Sequence, residues 1–175
     1  MDPEQAILSL GSPLPEMREL YSASRTGAKY VSHVQAGELL YLSGVVPIRN
    51  GKPLFQGQVG KEVSVEQGYE ASRQAALCAL TVIRYAMGSL NRVQQIVQMT
   101  GYVSSVAGFT DQSRVVNGAT DLLVQVFGER GRHARVSLSC GGLPANYCVE
   151  LALVVQVDGK AVRPGARKED LEPST

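Results

Sequence analysis

The chain of 175 residues has no tryptophan, three cysteines and two histidines, and aromatic residues make up only 6% of it. Cys78, Cys140 and Cys148 are odd in number and show neither metal-ligand nor CxxC spacing. Reduced thiols in a cytoplasmic protein are the simplest reading. His33 and His133 lack a partner at ligand spacing, so no metal and no organic cofactor is expected. The formal net charge of +1 gives no electrostatic reason to expect nucleic acid or an anionic membrane. No apolar run is long enough to span a bilayer. The acidic opening MDPEQAILSL does not read as a secretory signal. Internal repeats and low-complexity segments are also missing.

What is present is a chain that is 44% hydrophobic, long enough for one domain with a sizeable core. Residues 2–10 read as a short helix. Asp2 is its N-cap, Pro3 occupies the first turn, Gln5 completes a capping box and Gly11 stops it. The SPLPE stretch after it should be extended, because a residue before proline is pushed out of the helical region. Residues 29–35 and 39–47 read as two strands turned by residues 36–38, and Asn50-Gly51 marks a tight turn. Residues 53–59, PLFQGQV, offer a further short strand. A capping box at residues 64–67 opens a long helix that Gly88 ends, with Tyr69, Ala76, Leu80, Ile83 and Met87 on its apolar stripe. Residues 95–105 form a strand. Residues 110–112 cap a second helix that runs to Gly128 and carries Asn117, a poor helix former, in its interior.

The chemistry concentrates in residues 133–157. Arg135 opens one strand, Gly141, Gly142 and Pro144 read as hairpin punctuation, and the strand VELALVVQV follows. Glu150 is the only charge in that last run, and a half-buried carboxylate there must be satisfied by something. Arg135, on the neighbouring strand or across a subunit boundary, is the obvious cation. The order β-β-(β)-α-β-α-β-β makes a two-layer α+β sandwich with both helices on one face. The strands at 39–46 and 149–157 are too apolar on both sides to leave the other face wet, so that face should be buried between subunits. Residues 1–28 form an N-terminal arm, 29–157 the domain, and 158–175 a charged tail rich in Pro and Gly that reads as disordered.

The landmarks YLSGVVP, VVNGATDLLVQVFG, HARVSLSCGGLP and VELALVVQV, taken in order, resemble the Rid family of enamine/imine deaminases, also called the YjgF or L-PSP endoribonuclease family. The likeness spans residues 29–157. It implies a chorismate-mutase-like sandwich, a mixed six-stranded sheet with two helices on one face, assembled as a homotrimer with a cleft at each subunit interface. It implies that Arg135 holds a substrate carboxylate and that Glu150 stands next to the reacting carbon and its water. Tyr30, Ser43, Gly44, Asn117 and Ser137 fall on the other cleft positions. The implied activity is hydrolysis of small carboxylate-bearing imino or enamino acids to ammonia and a 2-oxo acid, without metal or cofactor. Two departures from the family, Val136 in place of serine and Val45 in place of glutamine, point to a more apolar pocket and a different substrate. The arm, the VGKEVSVEQGYEA connection and the GERGRHAR turn resemble a longer branch of the family. A non-catalytic trimer that binds 2-oxo acids stays open as an alternative, as does an endoribonuclease or translation inhibitor.

Overall fold

The structure, a computed structural model, describes residues 2–11, 13–22 and 29–171. A short helix α1, Pro3–Ser9, has the expected capping box: Gln5 N–H donates to Asp2, whose own N–H is covered by the Gln5 side chain. Residues 13–16 lie outside helix and strand, and Met17–Ser22 then forms a second short helix, α2, that the proline-rich context had concealed. Strands β1, His33–Ala36, and β2, Leu39–Leu42, pair antiparallel around Gly37, which has φ +60°. The expected second strand breaks after Leu42. It resumes only at Val45, which exchanges two backbone hydrogen bonds of 2.8 Å with Leu151. Ile48–Arg49 and Lys52–Pro53 form a separate two-stranded ribbon, β3 and β4, around Asn50 and Gly51, both left-handed.

Helix α3, Val65–Met87, begins at the Ser64 capping box and ends at Gly88 in the left-handed conformation, where a glycine meets no Cβ penalty. It is buried on most of its circumference. The exception on the expected stripe is Tyr69, half-buried, whose hydroxyl donates to Asp121 at 2.8 Å. Strand β5, Val93–Ser104, leads into helix α4, Gln112–Phe127, where Asp111 holds the N-cap position without a side-chain cap bond. The two helices lie in close contact at Gly118: a Cβ there would sit 2.0 Å from the Tyr69 carbonyl oxygen. Strands β6, Ala134–Cys140, and β7, Val149–Val157, complete the main sheet.

That sheet has five strands in the order β1-β2-β7-β5-β6 and is mixed, β5 and β6 being parallel and the other pairs antiparallel. Six strands were expected. The sixth is missing because residues 43–59 leave the sheet to make the small ribbon and irregular bridges. The expected β6–β7 hairpin is likewise corrected, since β5 lies between the two strands. The connection passes over the end of β5, where Ser104 N–H donates to Cys148 and Ser105 N–H to Cys140. Both α3 and α4 cover one face, onto which β7 turns Val149, Leu151, Leu153, Val155 and Val157.

The stretch from residue 158 to residue 171 is also placed otherwise than expected. It runs along the start of β1, with Ser32 N–H donating to Ala166 O, Ala166 N–H to Ser32 Oγ, and Ala166 1% exposed. His33 bonds the Arg163 carbonyl through Nε2, and the Arg163 guanidinium lies over the Tyr85 ring. Composition suggested disorder; backbone hydrogen bonds and a few buried contacts hold this stretch in place instead. Among the described residues no helix is long and apolar enough to cross a membrane.

Candidate functional site

Alternation along β7 settles where Glu150 points. Its neighbours Val149 and Leu151 face the helices, so Glu150 faces the open side of the sheet. Beside it the break between β2 and Val45 brings Gly44 against the carboxylate, so that a Cβ on residue 44 would lie 1.8 Å from Glu150 Oε1. Only glycine leaves room for the carboxylate. Burial without a compensating donor raises the Glu150 pKa above its ordinary value. Among the described residues no group hydrogen-bonds or ion-pairs with it.

Glu150, Gly44, Ser43 and Tyr30 line one cavity of about 880 Å³, together with residues of α2, α3 and the β3–β4 ribbon. Ser43 Oγ donates to the Val31 carbonyl at 2.6 Å, so its lone pairs remain to accept. Tyr30 is 54% exposed at the mouth. Four of the seven sequence-derived site residues are therefore together.

The other three are together elsewhere. Arg135 is in register with Met99 and Leu153, both buried under the helices, so its side chain lies on the helix side of β6. There Nη1 donates to Asn117 Oδ1 at 2.8 Å and to Thr120 Oγ1 at 2.9 Å. Among the described residues Nε and Nη2 have no partner, so the edge of the guanidinium fork that grips a carboxylate is open. Ser137, two residues on along the same side of β6, has a buried Oγ with no partner among the described residues.

Sequence reasoning missed Thr120. His133, which the sequence left without a partner at ligand spacing, is half-buried and bonds Gly131 O through Nδ1 at 2.7 Å and Thr120 Oγ1 through Nε2 at 3.4 Å. A carbonyl can only accept, so Nδ1 carries the proton and Nε2 accepts from Thr120. Thr120 thus offers its lone pairs to Arg135. Thr120 is three residues on from Asn117 along α4, but nothing in the sequence ties it to His133, and only the α4–β6 packing shows the link. Burial lowers the His133 pKa, and the nearby Arg135 charge adds to it.

Arg135 and Glu150 do not meet within one chain. Glu150 pairs across β5 with Tyr102 and Leu138, three residues along β6 from Arg135. At ordinary strand spacings the two are about 10 Å apart along the strands and about 10 Å across them, on opposite faces. Of the two placements the sequence allowed for Arg135, the neighbouring strand is ruled out.

The open face between them is apolar. Val34, Tyr41, Tyr102, Val136 and Leu138 are 36–56% exposed there, in a band reaching from β1 to the β6 edge. The cysteines are poor nucleophiles: burial pushes the Cys78 and Cys148 thiols up to about 11, and Cys140 is raised by burial and by Glu150. Among the described residues no three His, Cys, Asp or Glu side chains come together to hold a metal ion.

Residues 7–157 match the model of a family described as "YjgF/chorismate_mutase-like, putative endoribonuclease". The chain is 37% identical over 141 residues to Protein TCP17 of Trypanosoma cruzi, covering 80% of this chain and 88% of that protein. Among solved structures it is similar to Atu1372 of Agrobacterium tumefaciens, described as of unknown function, at 35% identity and a TM-score of 0.80, covering 89% of this chain and 92% of the other. It is similar also to "a putative endoribonuclease" from Shewanella oneidensis, at 31% identity and a TM-score of 0.82, covering 90% of this chain and 100% of the other. A Rid-family protein of unknown function from Yersinia pestis, 20% identical, shares the fold at a TM-score of 0.54, over 83% of this chain and 98% of that one. With the family model spanning the sheet, both long helices and both halves of the candidate site, the chain belongs to the YjgF, or Rid, family.

Proposed function

We propose that the protein is a homotrimeric hydrolase of carboxylate-bearing 2-imino or 2-enamino acids, with each site assembled from two copies of the chain. The observation that carries this reading is the separation of the two charges. A partly buried carboxylate lines a cavity near the middle of the sheet and a guanidinium stands at one edge, the carboxylate without a partner and the guanidinium fork open among the described residues. Each half lacks what the other has. Setting the β6 edge of one copy against the Glu150 cavity of the next supplies both and covers the apolar open face. Such a head-to-tail contact closes into a ring. It also covers an exposed edge strand that would otherwise invite aggregation.

In the assembled site Arg135 holds the substrate carboxylate through Nε and Nη2 while Asn117 and Thr120 keep Nη1 in place. Glu150 then faces the imine carbon. On the protonated imine it takes a proton from water as the oxygen adds to that carbon, giving a neutral tetrahedral amino alcohol. It returns that proton to the nitrogen and takes up the hydroxyl proton as the C–N bond breaks, so that ammonia and a 2-oxo acid leave; an enamine first tautomerises to the imine. A carboxylate pKa raised toward neutrality suits both transfers. Ser43 accepts a hydrogen bond from the substrate or its water. Ordering the reactants is the larger contribution, because the reaction is undemanding. Binding of 2-oxo acids without turnover, the second reading, is supported by the same open fork.

The test is ammonia release from 2-aminoacrylate and longer imines generated in situ, comparing wild type, Arg135→Ala and Glu150→Gln. Each variant should lose activity, Glu150→Gln by about 10²–10⁴-fold. Dissociated and reassembled together, the two inactive variants should recover up to about a quarter of wild-type activity, since random mixing in a ring restores that share of sites. Full activity in Arg135→Ala sinks the site assignment. Inactive variants that never complement place both residues in one chain's site and sink the shared one.

A further inference from the structure

The cavity does not end at Glu150. At about 880 Å³ it stands near the upper end of the range, about 300–1,000 Å³, typical of pockets for drug-sized ligands. An imino acid of three or four carbons would leave most of it empty. Glu150 lies on the open face of the sheet, yet the lining includes Val82 of α3, on the other face. The cavity therefore passes through the gap where the chain leaves the sheet after Leu42. Beyond the gap its walls are Leu20 and Tyr21 of α2, Val46, Ile48 and Val82. The helix α2 that closes this end is the element the sequence did not reveal.

This chamber asks for an apolar occupant. Most of its polar lining groups already donate to one another or to backbone, the Tyr147 hydroxyl, which has no partner among the described residues, being the exception. Ser32 Oγ binds His33 and Ala166, and the Tyr21 hydroxyl bonds Ser32. Ser43 donates to Val31 O, and Gln56 donates to Ala145 O. At the throat stands Val45, 7% exposed and fixed to Leu151 by two backbone hydrogen bonds, which offers no polar side-chain atom.

Resting on the imine-hydrolase reading above, we infer that the substrate carries a bulky apolar side chain, best an aromatic ring, lodged in the α2 chamber while its carboxylate and imine carbon stay beside Glu150. The chamber sets specificity, and Leu20 and Val46 are its determinants.

The test uses the stable 2-oxo acid products as probes, titrating the full-length protein with pyruvate and with phenylpyruvate by calorimetry. Phenylpyruvate should bind at least about tenfold more tightly, because its ring leaves water for the chamber. Leu20→Trp and Val46→Trp should each abolish that preference and leave pyruvate affinity unchanged. Imines generated in situ from phenylalanine and alanine should follow the same ranking in turnover. Equal binding of the two acids overturns the chamber and leaves the hydrolase reading standing. Binding of neither acid overturns the carboxylate site itself, and the chamber with it. Should either tryptophan variant fail to fold, the wild-type ratio decides alone.

Discussion

The strands β6 and β7 carry the two charges of the site, and the sheet treats them in opposite ways. β7 lies inside the sheet, paired on both sides, and holds Glu150 half-buried with nothing among the described residues to answer its charge. β6 lies at the edge, with its Arg135 held by two hydrogen bonds on one nitrogen and, among the described residues, free on the others. The carboxylate is strained electrostatically and left unoriented; the guanidinium is oriented and left unsatisfied. A buried carboxylate beside nothing gains basicity, while a braced guanidinium loses little freedom when it grips a ligand. The comparison teaches that a carboxylate made more basic and a guanidinium made ready to grip an anion need opposite surroundings, and that one sheet supplies both.

The largest change should come from disturbing the carboxylate. In Gly44→Ala the added methyl would overlap Glu150 Oε1, the movable end of a side chain, so the carboxylate shifts and the fold survives. Displacement of about 1 Å from a reacting centre costs about 10²-fold in rate. Ammonia release should fall by about that factor, with the thermal midpoint nearly unchanged. Retained activity would mean that the position of Glu150 does not matter.

A smaller effect is expected at the edge. Thr120→Val keeps the shape and removes the hydroxyl that accepts from Arg135, leaving Asn117 alone to hold the guanidinium. Affinity for 2-oxo acids should weaken about five- to tenfold, the worth of one hydrogen bond to a charged group partly open to water, with kcat little changed. Thr120→Ser should restore the affinity. A fall in kcat at constant affinity would contradict the cradle.

The smallest effect is on stability, and its sign separates the two regions most sharply. Burial raises the Glu150 pKa above 4.5, so the folded state binds that proton more tightly than the unfolded chain does. The contribution is full below about pH 4.5 and is lost as pH rises through the folded-state value. Urea midpoints of wild type minus Glu150→Gln should therefore drift downward across that window. His33 works in the other direction: burial holds its pKa below 6.5, so its contribution is present above pH 6.5 and is lost on acidification. Parallel urea profiles for wild type and Glu150→Gln would show that the carboxylate is not desolvated.

Much of the fold was legible because it rests on local signals. The capping boxes at Asp2 and Ser64, the stop at Gly88 and the Asn50-Gly51 turn each act within four residues, and each is where the sequence put it. The β6–β7 hairpin was misread for the complementary reason. Gly141, Gly142 and Pro144 mark a chain reversal truly, but no local signal says that β5 will lie between the strands. Likewise α2 is short and follows two prolines, so its docking onto α3 and the ribbon, not its propensity, makes it a helix.

The candidate site divides in the same way. The sequence by itself singled out the candidate residues, since a lone carboxylate in an apolar strand and an arginine opening its neighbour in sequence are visible as residue types. It determined also that the chain has the two-layer sandwich of its family. Only the tertiary structure decided which face each residue meets. Side-chain direction along a strand has a period of two, but the face it selects depends on which strand lies beside it, and that is a long-range choice. This choice set Arg135 and Glu150 on opposite faces, brought Thr120 and His133 to the arginine, and opened the cavity from Glu150 toward α2.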